Sequence, residues 1–155
     1  MQQLPWHGPC FTCGLQRHAS GMGVTYFEQA DGIVVAEATF NLAQQGPPGH
    51  AHGGSLAAVL DEAMGWAVWR AGYRALAVKL EFEYRHPTPL GVPLRFTASL
   101  TGRGNRSIRA AGQVCLPDGT ITAVGKGVFV ELGERFVERF KESWGGEPPG
   151  PQVGA

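Results

Sequence analysis

The second half of the chain alternates apolar and polar residues over four consecutive segments separated by short turns. In the first, Leu76 to Arg85, the even positions are apolar and four odd positions are charged, as in a strand with one buried face. The next three segments begin near Leu94, Ile108 and Thr120. Parallel neighbours need crossover connections of about a dozen residues or more, which most of these turns are too short to supply. The pattern therefore predicts an antiparallel meander.

Upstream, a hairpin and a helix complete the elements. Val24 to Gln29 and Ile33 to Phe40 flank an Ala-Asp-Gly turn, which predicts two paired strands. Ser55 to Arg70 has helical periodicity, and one side of this helix is apolar. The residues of that side are Leu56, Leu60, Ala63, Met64 and Ala67. One long helix against one twisted sheet of five to six strands is a two-layer α+β fold.

Length and composition favour one domain. The 155 residues are enough for a single core and too few for two ordinary ones. We expect an irregular lead-in over 1–23, one domain over 24–143 that ends in a short amphipathic helix, and a disordered tail over 144–155.

Charge and cysteine content limit the classes of binding partner and the cellular compartment that we expect. Thirteen basic residues balance thirteen acidic ones, so no overall field attracts nucleic acid or an anionic membrane. The start of the chain lacks the pattern of a secretory signal, and no stretch approaches about 18 apolar residues. Three cysteines do not make a disulfide framework. We therefore expect a cytoplasmic protein.

Asp61 lies within this apolar helix, among small neighbours such as Ala57, Ala58 and Gly65. Such surroundings favour a pocket or a partner chain beside the carboxylate over an ordinary surface acid. Glu62 points elsewhere and is interpreted as an ordinary surface acid.

The glycines before the helix form the second candidate feature. Gly53 and Gly54 would let a substrate oxygen approach unpaired backbone N–H groups, where the helix dipole favours negative charge. Gly53 and Asp61 are eight residues apart, or about 12 Å of helix rise. Since catalytic groups must both lie within about 3 Å of the reacting centre, one chain cannot supply both. A two-fold dimer with antiparallel helices could, and would also cover the second apolar side of the helix.

The segment 46–68, GPPGHAHGGSLAAVLDEAMGWAV, closely resembles the motif of hotdog-fold acyl-CoA thioesterases of the PaaI-like branch. The shared features are a G-P-P-G turn, an H-G-G triplet and an aspartate eight residues after its first glycine. The resemblance extends over roughly residues 10–131. It includes a C-F-x-C-G opening at 10–14 and the stretch LEFEYRHPTPLG at 80–91.

The resemblance implies a hotdog fold, active sites at a homodimer interface, and hydrolysis of an acyl-CoA thioester. By this resemblance the Gly53 N–H polarises the thioester carbonyl, and Asp61 is the nucleophile or the base that activates water. His52 would assist near the thioester, and Gly54 and Gln45 would contact substrate. The dimers could pair into tetramers. The alternative is a non-catalytic acyl-CoA-binding hotdog module, which would have no need of the acid.

Cys10 and Cys13, with His7 and His18 nearby, permit a Cys2His2 zinc site or a redox dithiol. We favour packed thiols, and we expect neither a metal nor a cofactor. Gly102 to Arg106 joins two strands and opens no helix, so it lacks the context of a phosphate-binding loop.

Overall fold

The computed structural model of the chain describes residues 1–4, 10–13 and 20–144. Within them it contains seven strands, two α-helices and a short 3₁₀ turn. The strands are β1 (Gln2–Gln3), β2 (Thr25–Glu28), β3 (Val34–Thr39), β4 (Ala75–Tyr84), β5 (Pro93–Arg103), β6 (Ser107–Cys115) and β7 (Ile121–Glu131), and the helices are α1 (Gly53–Arg70) and α2 (Glu134–Trp144). The predicted hairpin, the long helix and the four later strands are confirmed.

The strands form a single antiparallel sheet in the order β1-β2-β3-β5-β6-β7-β4. The predicted meander was therefore correct only for β5, β6 and β7. β4 pairs with β7 at the far edge, and the segment 85–92 carries the chain back to β5. The sheet has seven strands, whereas five to six were predicted. The additional strand is Gln2–Gln3, which pairs with β2 although it lies in the segment expected to be irregular.

Helix α1 packs on one face of the sheet, and its predicted apolar stripe is confirmed as buried. Leu60, Ala63 and Met64 are fully inaccessible, and Leu56 and Ala67 are nearly so. This burial removes the apolar surface of the stripe from water, the main favourable term in folding.

The side of α1 away from the sheet is partly covered by the chain's own N-terminal segment. Val59 and Trp66, which belong to this side, are buried, as are Leu4 and Tyr26. Trp66 lines a small cleft together with residues of the N-terminal segment and β2. A partner chain is therefore not needed to cover this part of the helix.

Two sequence expectations fall mainly on residues outside the described ranges. One is the tail predicted over 144–155, of which only Trp144 is described, as the last residue of α2, and the other is the zinc site that included His7 and His18. No helix among the described residues is both long and apolar enough to cross a membrane.

Candidate functional site

A tight turn at 46–49 leads into helix α1. The Gly46 N–H donates to the carbonyl of His50, and the His50 N–H donates to the carbonyl of Pro47. The Gly49 N–H donates to Oε1 of Gln45 at 2.9 Å. Gly49 has a φ of +76°, a conformation that glycine adopts at little cost. Gln45, expected to contact substrate, thus uses its side-chain oxygen Oε1 to close the turn.

The helix begins at Gly53, two residues earlier than predicted, because His52 is its N-cap. Nδ1 of His52 accepts the Gly54 N–H at 2.8 Å. Since Nδ1 is the acceptor, the neutral ring carries its proton on Nε2. The Gly54 N–H is therefore occupied in this structure, whereas no described residue accepts the Gly53 N–H.

Tyr84, at the end of β4, lies directly against Gly53. Its hydroxyl donates to the Gly53 carbonyl at 2.8 Å. A methyl group at residue 53 would lie 2.9 Å from Cζ of this ring, so the close approach requires glycine. Burial raises the pKa of Tyr84 from its usual 10.0. Sequence reasoning missed this contact, although Tyr84 lies in the motif stretch at 80–91.

Asp61 is half-buried on α1, and its carboxylate has no hydrogen-bond or ion-pair partner in the part of the chain that the structure describes. Burial, and after it the negative charge of Glu62, raises the pKa of Asp61 from 3.8 to about 6. Lone, partly desolvated carboxylates of this kind occur preferentially at functional sites.

The surface beside Asp61 has space for another group. Ala57 and Ala58 are only partly buried. A methyl group at Gly65, one turn further along α1, would meet nothing within 4 Å. The surface around these small residues is therefore open.

The structure brings His52, Gly53 and Gly54 together but leaves Asp61 apart from them. All lie on or at the start of one continuous helix, so the rise from Gly53 to Asp61 is about 12 Å. Within one chain the acid and the free N–H cannot act on the same atom.

β4 runs alongside α1 and forms the open edge of the sheet. Nε1 of Trp69, near the end of the helix, donates to the carbonyl of Ala75 at the start of β4. Tyr84 at the other end of the strand meets Gly53 at the start of the helix. β4 and α1 are therefore antiparallel neighbours. The prediction that the apolar positions of this strand form a buried face was wrong for Leu76 and Val78, which are 39% and 64% exposed because they lie on an edge strand.

Comparison with known proteins relates the chain to a family. Residues 48–123, about half of the chain and including helix α1 and Tyr84, match the model described as the thioesterase superfamily. A comparison with curated proteins gave no match.

Several solved structures have the same fold. A crystal structure described as a thioesterase superfamily protein has a TM-score of 0.76 and 33% identity, with 79% of this chain and 60% of that chain covered. The PaaI protein of the phenylacetic acid degradation operon of E. coli gives 0.68 and 20%, covering 77% and 88%. A hypothetical thioesterase of Streptococcus pneumoniae solved with coenzyme A gives 0.66 and 18%, covering 71% and 86%.

The chain thus carries a thioesterase-superfamily domain with the hotdog fold. The resemblance to PaaI-like hotdog thioesterases seen in its sequence is confirmed. The chain spans 60% of the length of the first of these structures.

Proposed function

We propose that the protein hydrolyses an acyl-CoA thioester to a free acid and coenzyme A. The observation that carries the proposal is Asp61, a half-buried carboxylate with a pKa of about 6 and open space beside it. Coenzyme A in the related streptococcal structure supports the choice of substrate. A module that only bound acyl-CoA would gain nothing from an acid that is costly to ionise.

The proposed site lies between two copies of the chain. A strand such as β4, which is ten residues long, apolar in part and unpaired on one side, is a template for pairing with a second copy. A two-fold axis that pairs β4 with the partner's β4 also sets the two α1 helices antiparallel, since each helix runs along its own edge strand.

For Gly53 of one protomer to meet the partner's Asp61, the axis must cross α1 midway between them, near Ala57. By the rise per residue of a helix and of a strand, the contacts at the two ends of β4 correspond to a strand position near Phe82.

In this dimer each group has a defined role. The Gly53 N–H, at the positive end of the helix dipole, donates to the thioester oxygen as negative charge develops there. Asp61 of the other protomer takes a proton from the attacking water, or attacks the carbonyl carbon itself. When water attacks, the C–S bond breaks and coenzyme A leaves as the thiol with the proton that Asp61 took up. When Asp61 attacks, breaking the C–S bond leaves a mixed anhydride, and water hydrolyses this anhydride to the free acid while its proton goes to the coenzyme A thiolate. The Nε2 proton of His52 is available to a polar substrate atom.

The test is to incubate the purified protein with small and medium acyl-CoAs and follow release of free thiol over a range of pH. Hydrolysis needs the carboxylate form of Asp61, so kcat/KM should fall about tenfold per pH unit below about 6 and level off above it. Binding of acyl-CoA without thiol release would refute the enzyme and favour the binding module. A flat profile between pH 4 and pH 7 would refute the role of Asp61.

Tyr84→Phe tests the support of the Gly53 peptide. Removing the hydroxyl leaves the ring in contact with Gly53, but the Gly53 carbonyl loses its hydrogen bond and the Gly53 peptide is held less firmly. We therefore expect kcat to fall about three- to tenfold with KM nearly unchanged. Because Tyr84 is 51% exposed, the melting temperature should hardly change. Tyr73→Phe is the matched control, since that hydroxyl contacts Arg103 instead. A loss of the same size in both variants would count against a positioning role.

A further inference from the structure

A second group of reactive side chains lies where the N-terminal segment meets α1. The Sγ atoms of Cys10 and Cys13 and a carboxylate oxygen of Glu62 all lie within 4.8 Å of one another. All three residues are partly buried. Glu62 therefore does not point into open solvent as its interpretation as a surface acid implied. Two thiolates and one carboxylate are ligands that Zn²⁺ accepts, with bonds of about 2.0–2.3 Å.

The local backbone suits the pair of thiols to a metal ion. Residues 11–13 form a turn, and the C-x-x-C spacing is the one that many structural zinc sites use. The Thr12 N–H donates to Sγ of Cys10 at 3.4 Å. An N–H donor to sulfur is compatible with a metal-bound thiolate.

A buried tyrosine hydroxyl lies near this cluster. Tyr26 is 3% exposed, and its hydroxyl lies close to the Thr12 side chain but makes no hydrogen bond of good geometry with a described residue. Burial, and after it the charge of Glu62, holds the pKa of Tyr26 well above its usual range. Cys13 and Tyr26 both line the cleft beside Trp66, which has a volume of about 70 Å³. That space exceeds the roughly 30 Å³ that one water occupies in the liquid.

We propose that Cys10, Cys13 and Glu62 bind a zinc ion that fastens the N-terminal segment to helix α1. Binding releases the two thiol protons, and the ion with two thiolates and one carboxylate carries a net charge of −1. A water in the cleft would complete four-fold coordination and accept the Tyr26 hydroxyl. The site is structural: it joins residues 49 to 52 positions apart in sequence and holds the side of α1 that adjoins Asp61.

The experiment measures metal binding on the whole, reduced protein after treatment with a chelator. Titration with Co²⁺ should give a sulfur-to-metal charge-transfer band and the visible bands of tetrahedral cobalt, saturating at about one equivalent per chain. Zn²⁺ should displace the cobalt and abolish both. Chelator should lower the melting temperature of the zinc-loaded wild type.

Variants distinguish this cluster from adventitious thiols. Cys13→Ser should lose the charge-transfer band and weaken binding about 100-fold or more, and Glu62→Gln should weaken it about tenfold. Cys115→Ser, on β6, is the matched control and should bind as the wild type does. Absence of a charge-transfer band in the reduced wild type would overturn the proposal. So would a Cys10–Cys13 disulfide that persists under reducing conditions, or equal losses in Cys13→Ser and Cys115→Ser. None of these readouts depends on thioester hydrolysis.

Discussion

Asp61→Asn is expected to lower kcat for thioester hydrolysis about 10²- to 10⁴-fold, the range that removal of a general base produces. The amide has nearly the shape of the carboxylate, so substrate should still bind with a similar KM. The loss should therefore be confined to the step that needs a proton acceptor or a nucleophile. Steady-state kinetics with the best acyl-CoA of the panel measure it.

The same variant should be more stable than the wild type at neutral pH. The pKa of Asp61 in the folded chain, about 6, lies above its ordinary 3.8, so ionising it opposes folding. The contribution of Asp61 to the free energy of unfolding of the wild type is fully present below about pH 4, and it is lost as the pH rises through about 6. Asp61→Asn should thus gain about 1 kcal/mol at pH 8, a figure reduced for solvent screening, and the gain should vanish towards pH 4.

Asp118→Asn provides the control for both measurements. Asp118 lies in the turn before β7, where its carboxylate accepts the Thr120 N–H and its pKa is lowered, mainly by that hydrogen bond. Asparagine keeps an acceptor oxygen there, so activity should be unchanged. An Asp61→Asn protein that stays folded and hydrolyses thioesters at the wild-type rate would remove Asp61 from the mechanism.

The sequence indicates which residues form strands and helices better than it indicates which strands are neighbours. Alternation and periodicity predicted the strands and the buried stripe of α1, because they depend on which face each residue occupies. Alternation does not specify which strand lies next to which, so the position of β4 at the far edge was not predictable. That position matters, because it leaves β4 free to pair and brings Tyr84 to Gly53.

The start of the helix was mispredicted for a related reason. Ser55 is a common N-cap residue and follows two glycines, whereas histidine is rarely expected to cap. In the structure His52 caps through Nδ1, which occupies the Gly54 N–H and leaves the Gly53 N–H as the available donor. Likewise, tertiary packing brings Cys10 close to Glu62. Local sequence patterns do not predict a contact between residues this far apart in the chain.

Mixing two inactive variants should restore activity, which is the sharpest test of a site built from two chains. Gly53→Ala places a methyl group 2.9 Å from the ring of Tyr84. The ring is half exposed and can move, so the fold should survive while the N–H is displaced. Loss of one such donor lowers kcat about 10²- to 10³-fold. Alone, Gly53→Ala and Asp61→Asn should both be nearly inactive.

In a mixed dimer the two defects should fall in the same site. One site then carries both substitutions, and the other pairs an intact Gly53 with the partner's intact Asp61. Random exchange makes about half of the dimers mixed, each with one working site, so about a quarter of the wild-type activity should return. An affinity tag on one variant, which captures the untagged variant only from mixed dimers, would follow the exchange of subunits.

The outcome separates the two arrangements because they predict opposite results. If Gly53 and Asp61 of the same chain acted together, every site in a mixed dimer would carry one defect, and mixing would restore nothing. Mixing either variant with Asp118→Asn is the activity control, since exchange in that mixture leaves the total activity at about half of the wild-type value. Full exchange between Gly53→Ala and Asp61→Asn without recovery of activity would exclude the shared site. Recovery near a quarter would establish that Gly53 and Asp61 act across the interface, as the 12 Å rise between them along α1 requires.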